Sequence, residues 1–313
     1  MKPAQSLYES VTASVLAGVT EANGQFQMPW HRTGGKTLTM PLNATTKSTY
    51  RGINILLLWI AALQGGYEQS EWASYKQWAS IGAQVRAKEH GTKIVFYKQF
   101  EIEAETDDDN GQRRVAKSYS VFSADQVDGY SGNMQPSVDH GPIERLAAFD
   151  RLVNATGVTI LHGGTRAFYS PATDEITLPD EWRWSGTNTR DRHESYASVT
   201  LHELGHWSGH RSRLDRRLFE KWGKHEAACE EVIAELTAAF LCAELGYSAE
   251  PRPDHARYLS GYIALLKDNN RAIFVAAAAA AKAADYIKSC GLAPPWEAPM
   301  PVSDPATPTH QAA

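Results

Sequence analysis

Hydrophobic spacing in the first 130 residues predicts a small unit of helices and strands. Three segments carry apolar side chains at helical spacing, namely residues 6–23, Gly52–Leu63 and Glu71–Ile81. Two later segments, Lys93–Phe100 and Arg114–Phe122, are rich in β-branched and aromatic residues and alternate as strands do. The pair Asn110-Gly111 lies between them and favours a tight hairpin turn. The pattern therefore predicts a compact α+β unit that ends near Gly129.

The rest of the chain has the pattern of a mostly helical unit with a few short strands. Helical spacing covers Ile143–Thr156, Tyr196–His210, His225–Leu245 and, as one or two alanine-rich helices, Arg257–Ser289. Short β-rich stretches follow the first of these helices, at Thr159–Leu161, Ala167–Ser170 and Glu175–Leu178. A turn at Pro171-Ala-Thr-Asp174 separates the last two stretches.

A polar, turn-rich stretch between these units predicts a domain boundary. We expect a first domain over residues 1–130, a linker over 131–141 and a second domain over 142–290. Residues 291–313 are rich in proline and lack apolar periodicity, so they are predicted to be a disordered tail.

Composition narrows the class of protein. The chain has 313 residues, of which 42% are hydrophobic and 21% charged, as in globular proteins. No apolar run reaches the roughly 18 residues that a membrane helix needs, and the first residues lack the pattern of a secretory signal, so no membrane partner is expected. Three widely spaced cysteines do not predict a disulfide framework and suit a reducing cytoplasm, which is the expected location.

One motif in the second unit carries metal chemistry. Residues 202–206 read His-Glu-Leu-Gly-His inside a predicted helix. His202 and His206 are four positions apart, so both imidazoles project from one face and can reach one ion. Glu203 lies between them and can take a proton from water without being a ligand. Apolar flanking residues indicate that the helix is buried, which argues against the alternative of two solvent-facing histidines.

A third protein ligand is expected from the next helix, because a catalytic zinc has three protein ligands and an open position. Glu231 and Glu235 are one helical turn apart, in a Glu-x-x-Ala-Glu pattern typical of zinc peptidases with a glutamate ligand. We assign Glu231 as ligand and Glu235 as the carboxylate that supports a histidine ligand. Glu230 is rotated about 100° from Glu231 around the helix and ranks lower. The expected cofactor is Zn²⁺, and Mn²⁺ or Co²⁺ also suit such ligands.

Several neighbours of the motif remain open alternatives. His210 continues the row of histidines, but it lies about 6 Å beyond His206 along the helix, which favours a hydrogen bond elsewhere over a fourth ligand. Either Arg166–Ser170 or Glu175–Pro179 could be an edge strand that aligns an extended substrate. The candidates for stabilising an oxyanion are Tyr169, Tyr196, His225, Tyr258 and Tyr262, and the sequence does not choose among them.

The first unit combines polar, basic and aromatic residues in a pattern that suits single-stranded DNA. Backbone N–H groups at the start of its apolar helix can hold phosphates, and aromatic rings can stack on unpaired bases. The alternative is that its tryptophans fill the core. An acidic run at residues 101–109 opposes DNA binding locally, although the rest of the unit is net positive. The candidate contacts are Asn43, Lys47, Tyr50, Arg51, Trp72, Trp78, Arg86, Lys88 and Lys93.

The same segments resemble ArdC-type antirestriction proteins. The resemblance to the N-terminal domain of that family lies in Pro41–Asn43, Tyr50–Leu58, Gly82–Arg86, Tyr119–Phe122 and Asp125–Val127. The resemblance to its C-terminal domain lies in His202–Trp207, Ser212–Arg216 and Glu230–Glu235. It implies an α+β fold of two domains, a small domain that binds single-stranded DNA and a zincin-like metallopeptidase domain with a small antiparallel sheet and the HExxH helix.

The resemblance also implies a function and site residues. It implies His202, His206 and Glu231 as metal ligands, Glu203 as the catalytic residue, and protection of incoming conjugative plasmid DNA from host restriction. A second hypothesis is a metallopeptidase that cleaves a host protein, with the first domain only targeting it to DNA, and a protein of the host restriction system is a candidate partner. A third is a structural metal site in a binding module, which leaves Glu203 without a purpose.

Overall fold

The computed structural model describes residues 7–18, 20–22, 25–27, 39–101, 112–130, 142–184, 191–217, 223–247 and 256–291. The predicted turn at Asn110-Gly111, the predicted linker at 131–141 and the predicted tail beyond residue 291 lie outside these residues. The described helices are α1 (Leu7–Gly18), α2 (Ile53–Gly65), α3 (Tyr75–Ser80), α4 (Pro142–Thr156), α5 (Arg192–Ser208), α6 (Glu226–Leu245), α7 (Ala256–Asp268) and α8 (Ala272–Ser289). Not one of these helices combines the length and hydrophobicity needed to cross a bilayer.

The described strands form small sheets. They are β1 (Thr20–Ala22), β2 (Gln25–Gln27), β3 (Leu42–Asn43), β4 (Glu71–Ala73), β5 (Gln84–Val85), β6 (Thr92–Glu101), β7 (Gln112–Ser123), β8 (Val127–Asp128), β9 (Thr159–His162), β10 (Phe168–Ser170) and β11 (Glu175–Leu178). The sheet orders are β1-β2, β3-β4-β7-β6, β5-β8 and β10-β11-β9. The long antiparallel pair β6–β7 confirms the two strands predicted on either side of the acidic run.

Residues Glu71–Ile81 do not form the single helix that their spacing predicts. The first three residues are strand β4, which pairs with β3 and β7, and α3 begins only after Ser74. The Oγ atom of Ser74 accepts a hydrogen bond from the N–H of Gln77 at 3.3 Å, and the Gln77 side chain accepts one from the N–H of Ser74 at 2.9 Å. The prediction was wrong because aromatic residues at helical spacing lie on both sides of this capping signal.

A three-stranded sheet lies beside the helix that carries the HExxH motif. Strands β10 and β11 are antiparallel across the predicted turn, whereas β11 and β9 are parallel. The sheet is therefore mixed rather than purely antiparallel, because the chain passes from β9 to the far edge strand and then returns into the middle. Strand β10 is at an edge and β11 is central, which decides between the two candidate edge strands in favour of Arg166–Ser170.

The ends of the two metal-site helices follow from local signals. Helix α5 begins at Arg192, earlier than the predicted Tyr196, because Asp191 caps it. The Asp191 carboxylate accepts a hydrogen bond from the N–H of Glu194 at 2.7 Å, and the Glu194 side chain reaches back to the N–H of Asp191. Helix α6 ends at Leu245, as predicted, and Gly246 caps it in the left-handed conformation.

The largest hydrophobic cluster joins the two predicted domains. Helices α1 and α2 pack into the same cluster as α5, α6, α7 and α8. The ring centres of Trp59 in α2 and Phe240 in α6 are 5.9 Å apart. The ring centres of Tyr8 in α1 and Phe274 in α8 are 4.8 Å apart. The N-terminal helices therefore share their core with the C-terminal part of the chain.

Candidate metal centre

Helices α5 and α6 bring the two halves of the metal site together. They approach each other closely at Gly205, where an added Cβ atom would lie only 2.8 Å from the Cα atom of Ala234. Glycine inside a helix costs about 1 kcal/mol relative to alanine, and this close approach explains why it is present. The contact lies beside His206 on α5 and within one turn of Glu231 on α6.

Three donor groups converge between these helices. The Nε2 atoms of His202 and His206 are 3.1 Å apart. The carboxylate oxygens of Glu231 lie 3.5 Å from Nε2 of His202 and 3.7 Å from Nε2 of His206. Two nitrogens bound to one tetrahedral ion, with bonds of about 2.0–2.1 Å, are roughly 3.3 Å apart. Both the spacing and the chemistry of these donors fit a zinc-type ion, and among the described residues they form a candidate metal-binding group.

Glu203 and a large cleft lie beside the ligands. Glu203 is buried, and it lines a cleft of about 1350 Å³ together with His206 and Glu231. This volume exceeds the roughly 300–1,000 Å³ of ordinary small-ligand pockets. The cleft also reaches Phe168 and Tyr169 on the edge strand β10. It therefore has room for an extended polymer beside the metal ligands.

A largely buried arginine fixes the edge strand to the metal-binding helix. Arg213 follows α5 and donates hydrogen bonds to both carboxylate oxygens of Asp174 and, at 3.1 Å, to the hydroxyl of Tyr169. Its Nε atom donates to the carbonyl of Trp207 at 2.6 Å, and its guanidinium lies 4.1 Å from the Trp207 ring centre. The hydrogen bonds from Arg213 lower the pKa of Asp174 to about 2. The β10–β11 hairpin and the HExxH helix are thereby held together by an ion pair.

A carboxylate outside the ligand group contacts His206 on its other side. Oε1 of Glu230 lies 3.3 Å from Nδ1 of His206, and Arg216 pairs with both oxygens of Glu230. Burial alone would lower the pKa of His206, but the hydrogen bond to Glu230 and its charge raise that pKa. Burial alone would raise the pKa of Glu230, but the bonds from His206 and Arg216 lower it. Sequence spacing distinguished Glu230 from Glu231 but did not predict the contact between Glu230 and His206. Arg216, which holds Glu230 in this position, lies in a loop whose conformation helix spacing does not predict.

Glu235 lies one turn after Glu231 on α6. It is buried within the packed part of the helix. Its support of a histidine ligand stays a prediction.

His210 is not a member of the converging group. Helix α5 ends at Ser208, so His210 no longer follows the helical row. Its Nδ1 atom lies 2.8 Å from Oγ of Ser212. This contact agrees with the expected hydrogen bond elsewhere.

The structure separates the candidates for oxyanion stabilisation. Tyr169 lines the cleft, and burial together with its hydrogen bond to a carboxylate raises its pKa, so it carries a neutral hydroxyl. Tyr196 and His225 contact other polar side chains at 3.2 and 3.3 Å. Tyr262 is buried in the helical core, and the side chain of Tyr258 lies outside the described residues. Tyr169 is therefore the candidate that lines the cleft, but its hydroxyl already donates its one hydrogen to Asp174 at 2.7 Å, so it can donate to an oxyanion only after this bond breaks.

Two of the predicted DNA contacts are core residues. Trp72 is 1% exposed and Trp78 is 0% exposed, so neither ring presents a face to a base. The Nε1 atom of Trp78 donates to the carbonyl of Phe122 at 3.0 Å, which satisfies its polar atom inside the core. The stacking role predicted for these tryptophans does not hold, and the alternative that they fill the core is correct.

Asn43 and Tyr50 shape the loop before α2. The side-chain oxygen of Asn43 accepts hydrogen bonds from two backbone N–H groups at 3.0 Å, and its side-chain NH₂ group donates to the Tyr50 hydroxyl at 3.2 Å. That hydroxyl donates to the carbonyl of Trp72. At the start of α2, the N–H groups of Asn54 and Ile55 already bond to backbone carbonyls. These groups are therefore occupied within the protein, which disfavours the predicted phosphate cradle.

The cations predicted to contact DNA are two arginines that form ion pairs and three solvent-exposed lysines. Arg51 is exposed but pairs with Asp285 of α8. Arg86 pairs with Glu89 at 3.1 Å and donates to backbone carbonyls near β8. The exposed lysines of the predicted set are Lys47, Lys88 and Lys93.

Sequence reasoning missed an exposed aromatic pair on the β6–β7 hairpin. Phe96 is 56% exposed and Tyr119 is 49% exposed, with ring centres 6.1 Å apart. Lys117 is exposed and lies opposite Phe96 in the strand register. We call Phe96, Tyr119 and Lys117 the ring platform. Strand alternation predicts two faces of a hairpin but not which part of a face stays uncovered, so the sequence held no sufficient signal.

The fold and the converging donors define a protein with a zincin-like metallopeptidase domain and a candidate site of two histidines and one glutamate. Comparison with known families agrees, since residues 147–279 match the zincin-like metallopeptidase family. Residues 5–122 match the N-terminal domain of anti-restriction factor ArdC. The chain belongs to the ArdC antirestriction family.

Relatives and solved structures show the same similarity over most of the chain. The y4eC protein of Sinorhizobium fredii is 39% identical over 288 residues, which is 90% of this chain and 91% of that protein. DNA primase TraC of Escherichia coli is 34% identical over 306 residues, or 92% of this chain but 20% of that protein. Crystal structures of the antirestriction ArdC protein from plasmid R388 are 32% identical and cover 92% of this chain. The metal-free form has a TM-score of 0.73 over 98% of that chain, and the Mn(II)-bound form 0.71 over 99%.

Proposed function

We propose that this protein binds single-stranded DNA through residues 1–130 and protects DNA that enters by conjugation from host restriction. Its second part, residues 142–290, holds a divalent ion through His202, His206 and Glu231. The observation that carries this site is the convergence of the three donors beside a cleft. Membership of the ArdC family supports the antirestriction role. Zn²⁺ is the proposed ion, and the Mn(II)-bound relative supports Mn²⁺ as well.

A second candidate function is cleavage of a protein of the host restriction system. When bound, a zinc-type ion supplies Lewis-acid chemistry, because it polarises a carbonyl oxygen and makes water more acidic. Glu203 lies in the cleft and is the proposed general base, which takes a proton from water and returns it to the leaving amine. Strand β10 is an edge strand among the described residues, so it can pair with an extended peptide in the cleft. These features favour a peptide as the substrate.

Replacement of Glu203 by glutamine should separate metal binding from catalysis. Glutamine keeps the size of the side chain but cannot act as a base, so we expect Glu203→Gln to retain metal and to lose about 10²–10⁴-fold in peptide cleavage. Elemental analysis measures the metal, and mass spectrometry of digested peptide mixtures measures cleavage. The matched control is Glu231→Gln, the same change at a ligand, which should weaken metal binding.

The same variant distinguishes the two functions in cells. Plasmid transfer into restricting and non-restricting recipients measures protection from restriction. Protection by Glu203→Gln equal to that by the natural protein would show that proteolysis is not the antirestriction mechanism. Loss of metal from Glu203→Gln would contradict its assignment as a residue that does not bind the ion.

The ring platform is the proposed centre of the DNA surface. The two exposed rings are nearly perpendicular, with an angle of 79° between their planes, and each can stack on an unpaired base while lysines contact the phosphates. Lys117 lies within the platform, and the predicted lysine contacts Lys47, Lys88 and Lys93 are solvent-exposed as well. The platform replaces the buried tryptophans as the source of stacking.

Removal of either ring should weaken DNA binding without changing its salt dependence. Stacking of a base on an aromatic ring contributes about 1–3 kcal/mol, so Phe96→Ala and Tyr119→Ala should each weaken binding about 5- to 150-fold. The DNA is an oligo-dT of about 16 nucleotides. Lys117→Gln removes a phosphate contact instead, and it should reduce the slope of log K against log salt by about 0.7. Fluorescence anisotropy at several salt concentrations measures both quantities.

The matched control for the ring variants is Trp182→Ala. Trp182 is an exposed aromatic residue in the C-terminal part of the chain, and its removal should leave DNA affinity unchanged. Natural affinity in a Phe96→Ala/Tyr119→Ala double variant would rule out the ring platform. An affinity of the natural protein that does not change with salt would rule out the phosphate contacts.

A further inference from the structure

Glu230 lies beside the Nδ1 atom of His206, where its carboxylate can accept a hydrogen bond from that nitrogen. A histidine that binds a metal through Nε2 carries its hydrogen on Nδ1, where a carboxylate or carbonyl accepts it. Oε1 of Glu230 lies 3.3 Å from Nδ1 of His206. The lone pair is then on Nε2, which faces His202 and Glu231. Glu230 is therefore on the correct side of the ring to prepare His206 as a ligand.

Arg216 in turn fixes Glu230. The Arg216 side chain is 7% exposed, its Nε atom donates to Oε2 of Glu230 at 3.1 Å, and a terminal nitrogen donates to Oε1. Two further bonds of 2.7 Å join the guanidinium to Oγ of Ser208 and to the carbonyl of Gly205. One side chain thus links the last turns of α5 to the carboxylate on α6. The planar guanidinium sets the orientation of Glu230 relative to the helix that carries His206.

We propose that Arg216 and Glu230 are positioning residues of the metal site, which fix the ring orientation and the tautomer of His206. The inference rests on the proposed metal site and adds the residues that orient one of its ligands. Glu230 acts through His206, and Arg216 acts through Glu230. Lysine cannot replace Arg216, because an ammonium group cannot make two parallel hydrogen bonds to one carboxylate.

Affinity for Mn²⁺ and Zn²⁺, measured by calorimetry and chelator competition on the full chain, tests the proposal. We expect Glu230→Ala, Arg216→Gln and Arg216→Lys to weaken binding about 10- to 100-fold, the usual cost of losing the outer partner of a histidine ligand. Glu230→Gln keeps an oxygen that accepts from Nδ1, so it should retain most of the affinity. The matched control is Arg217→Gln. Arg217 is an exposed neighbour that pairs with Asp215, and its change should leave the affinity unchanged.

The tautomer of His206 distinguishes positioning from general stability. NMR of the histidine ring nitrogens in the metal-free protein, at a pH above the raised pKa of His206 so that the ring is neutral, should show the proton on Nδ1 in the natural protein and in Glu230→Gln, but not in Glu230→Ala. The double variant Arg216→Gln/Glu230→Ala should bind metal no more weakly than Glu230→Ala, because Arg216 acts through Glu230. The proposal would be overturned if folded Glu230→Ala and Arg216→Gln variants kept the metal affinity and the His206 tautomer of the natural protein, even if their melting temperatures were lower. If the natural protein bound neither ion, the proposed metal site would be wrong, and the tautomer would still decide the role of Glu230.

Discussion

We expect residues 1–130, produced without the rest of the chain, to remain unfolded. Helices α1 and α2 of this segment bury Val11, Val15, Leu56, Trp59 and Ile60 in one cluster with α6, α7 and α8. Burial of each large apolar side chain contributes about 1.5–3 kcal/mol. Loss of even half of this burial would remove several kcal/mol from a total stability of about 5–15 kcal/mol for a typical domain.

Circular dichroism and thermal melting of the isolated segment measure this outcome. A cooperative unfolding transition of the isolated segment would contradict this expectation and would show that the chain has two independently folding domains. The control is the full chain with a protease site inserted between residues 131 and 141. After cleavage the two pieces should elute together, because contacts such as Trp59 with Phe240 and Tyr8 with Phe274 remain. DNA binding is therefore best measured on the full chain.

Gly205→Ala should destabilise the protein and weaken metal binding together. The added Cβ atom would lie 2.8 Å from Cα of Ala234 and 3.2 Å from its Cβ and carbonyl oxygen. Since most of these are backbone atoms, α5 and α6 must move apart between the histidines and Glu231. Such overpacking costs about 1–3 kcal/mol, which offsets or exceeds the gain of about 1 kcal/mol in helix propensity. We expect a loss of at least about tenfold in affinity for Mn²⁺.

The matched control is Gly261→Ala in α7. A Cβ atom there would lie 3.6 Å from Cβ of Ala228, which is an ordinary contact. Gly261→Ala should therefore keep metal binding and gain up to about 1 kcal/mol from helix propensity. Urea unfolding with and without Mn²⁺ measures both variants. If Gly205→Ala kept the unfolding free energy and the Mn²⁺ affinity of the natural protein, α5 and α6 would not approach each other as closely as described.

Local spacing in the sequence was sufficient to predict the core of the metal site. The separation of His202 and His206 by one helical turn depends only on helix geometry, and their Nε2 atoms indeed meet at 3.1 Å. The position of Glu231 in a second helix followed from the same geometry, and the structure brings it to the pair.

Exposure of the N-terminal aromatics could not be predicted in the same way. Trp72 and Trp78 had the spacing of one helix, yet they lie on a strand and on a separate short helix, and both are buried. Phe96 and Tyr119 had the spacing of ordinary strand residues, yet they are exposed. Periodicity defines the faces of an element, whereas the neighbouring elements decide which face is covered.

The sequence by itself therefore determined most helices, the longer strands and the converging histidines, because each depends on residues a few positions apart. The tertiary structure alone decided three further features. It merged the N-terminal helices with the C-terminal core, it placed β10 at the sheet edge, and it joined Arg216 and Glu230 behind His206. These features arise from contacts between segments far apart in the chain, where shape and burial select partners that no local pattern records.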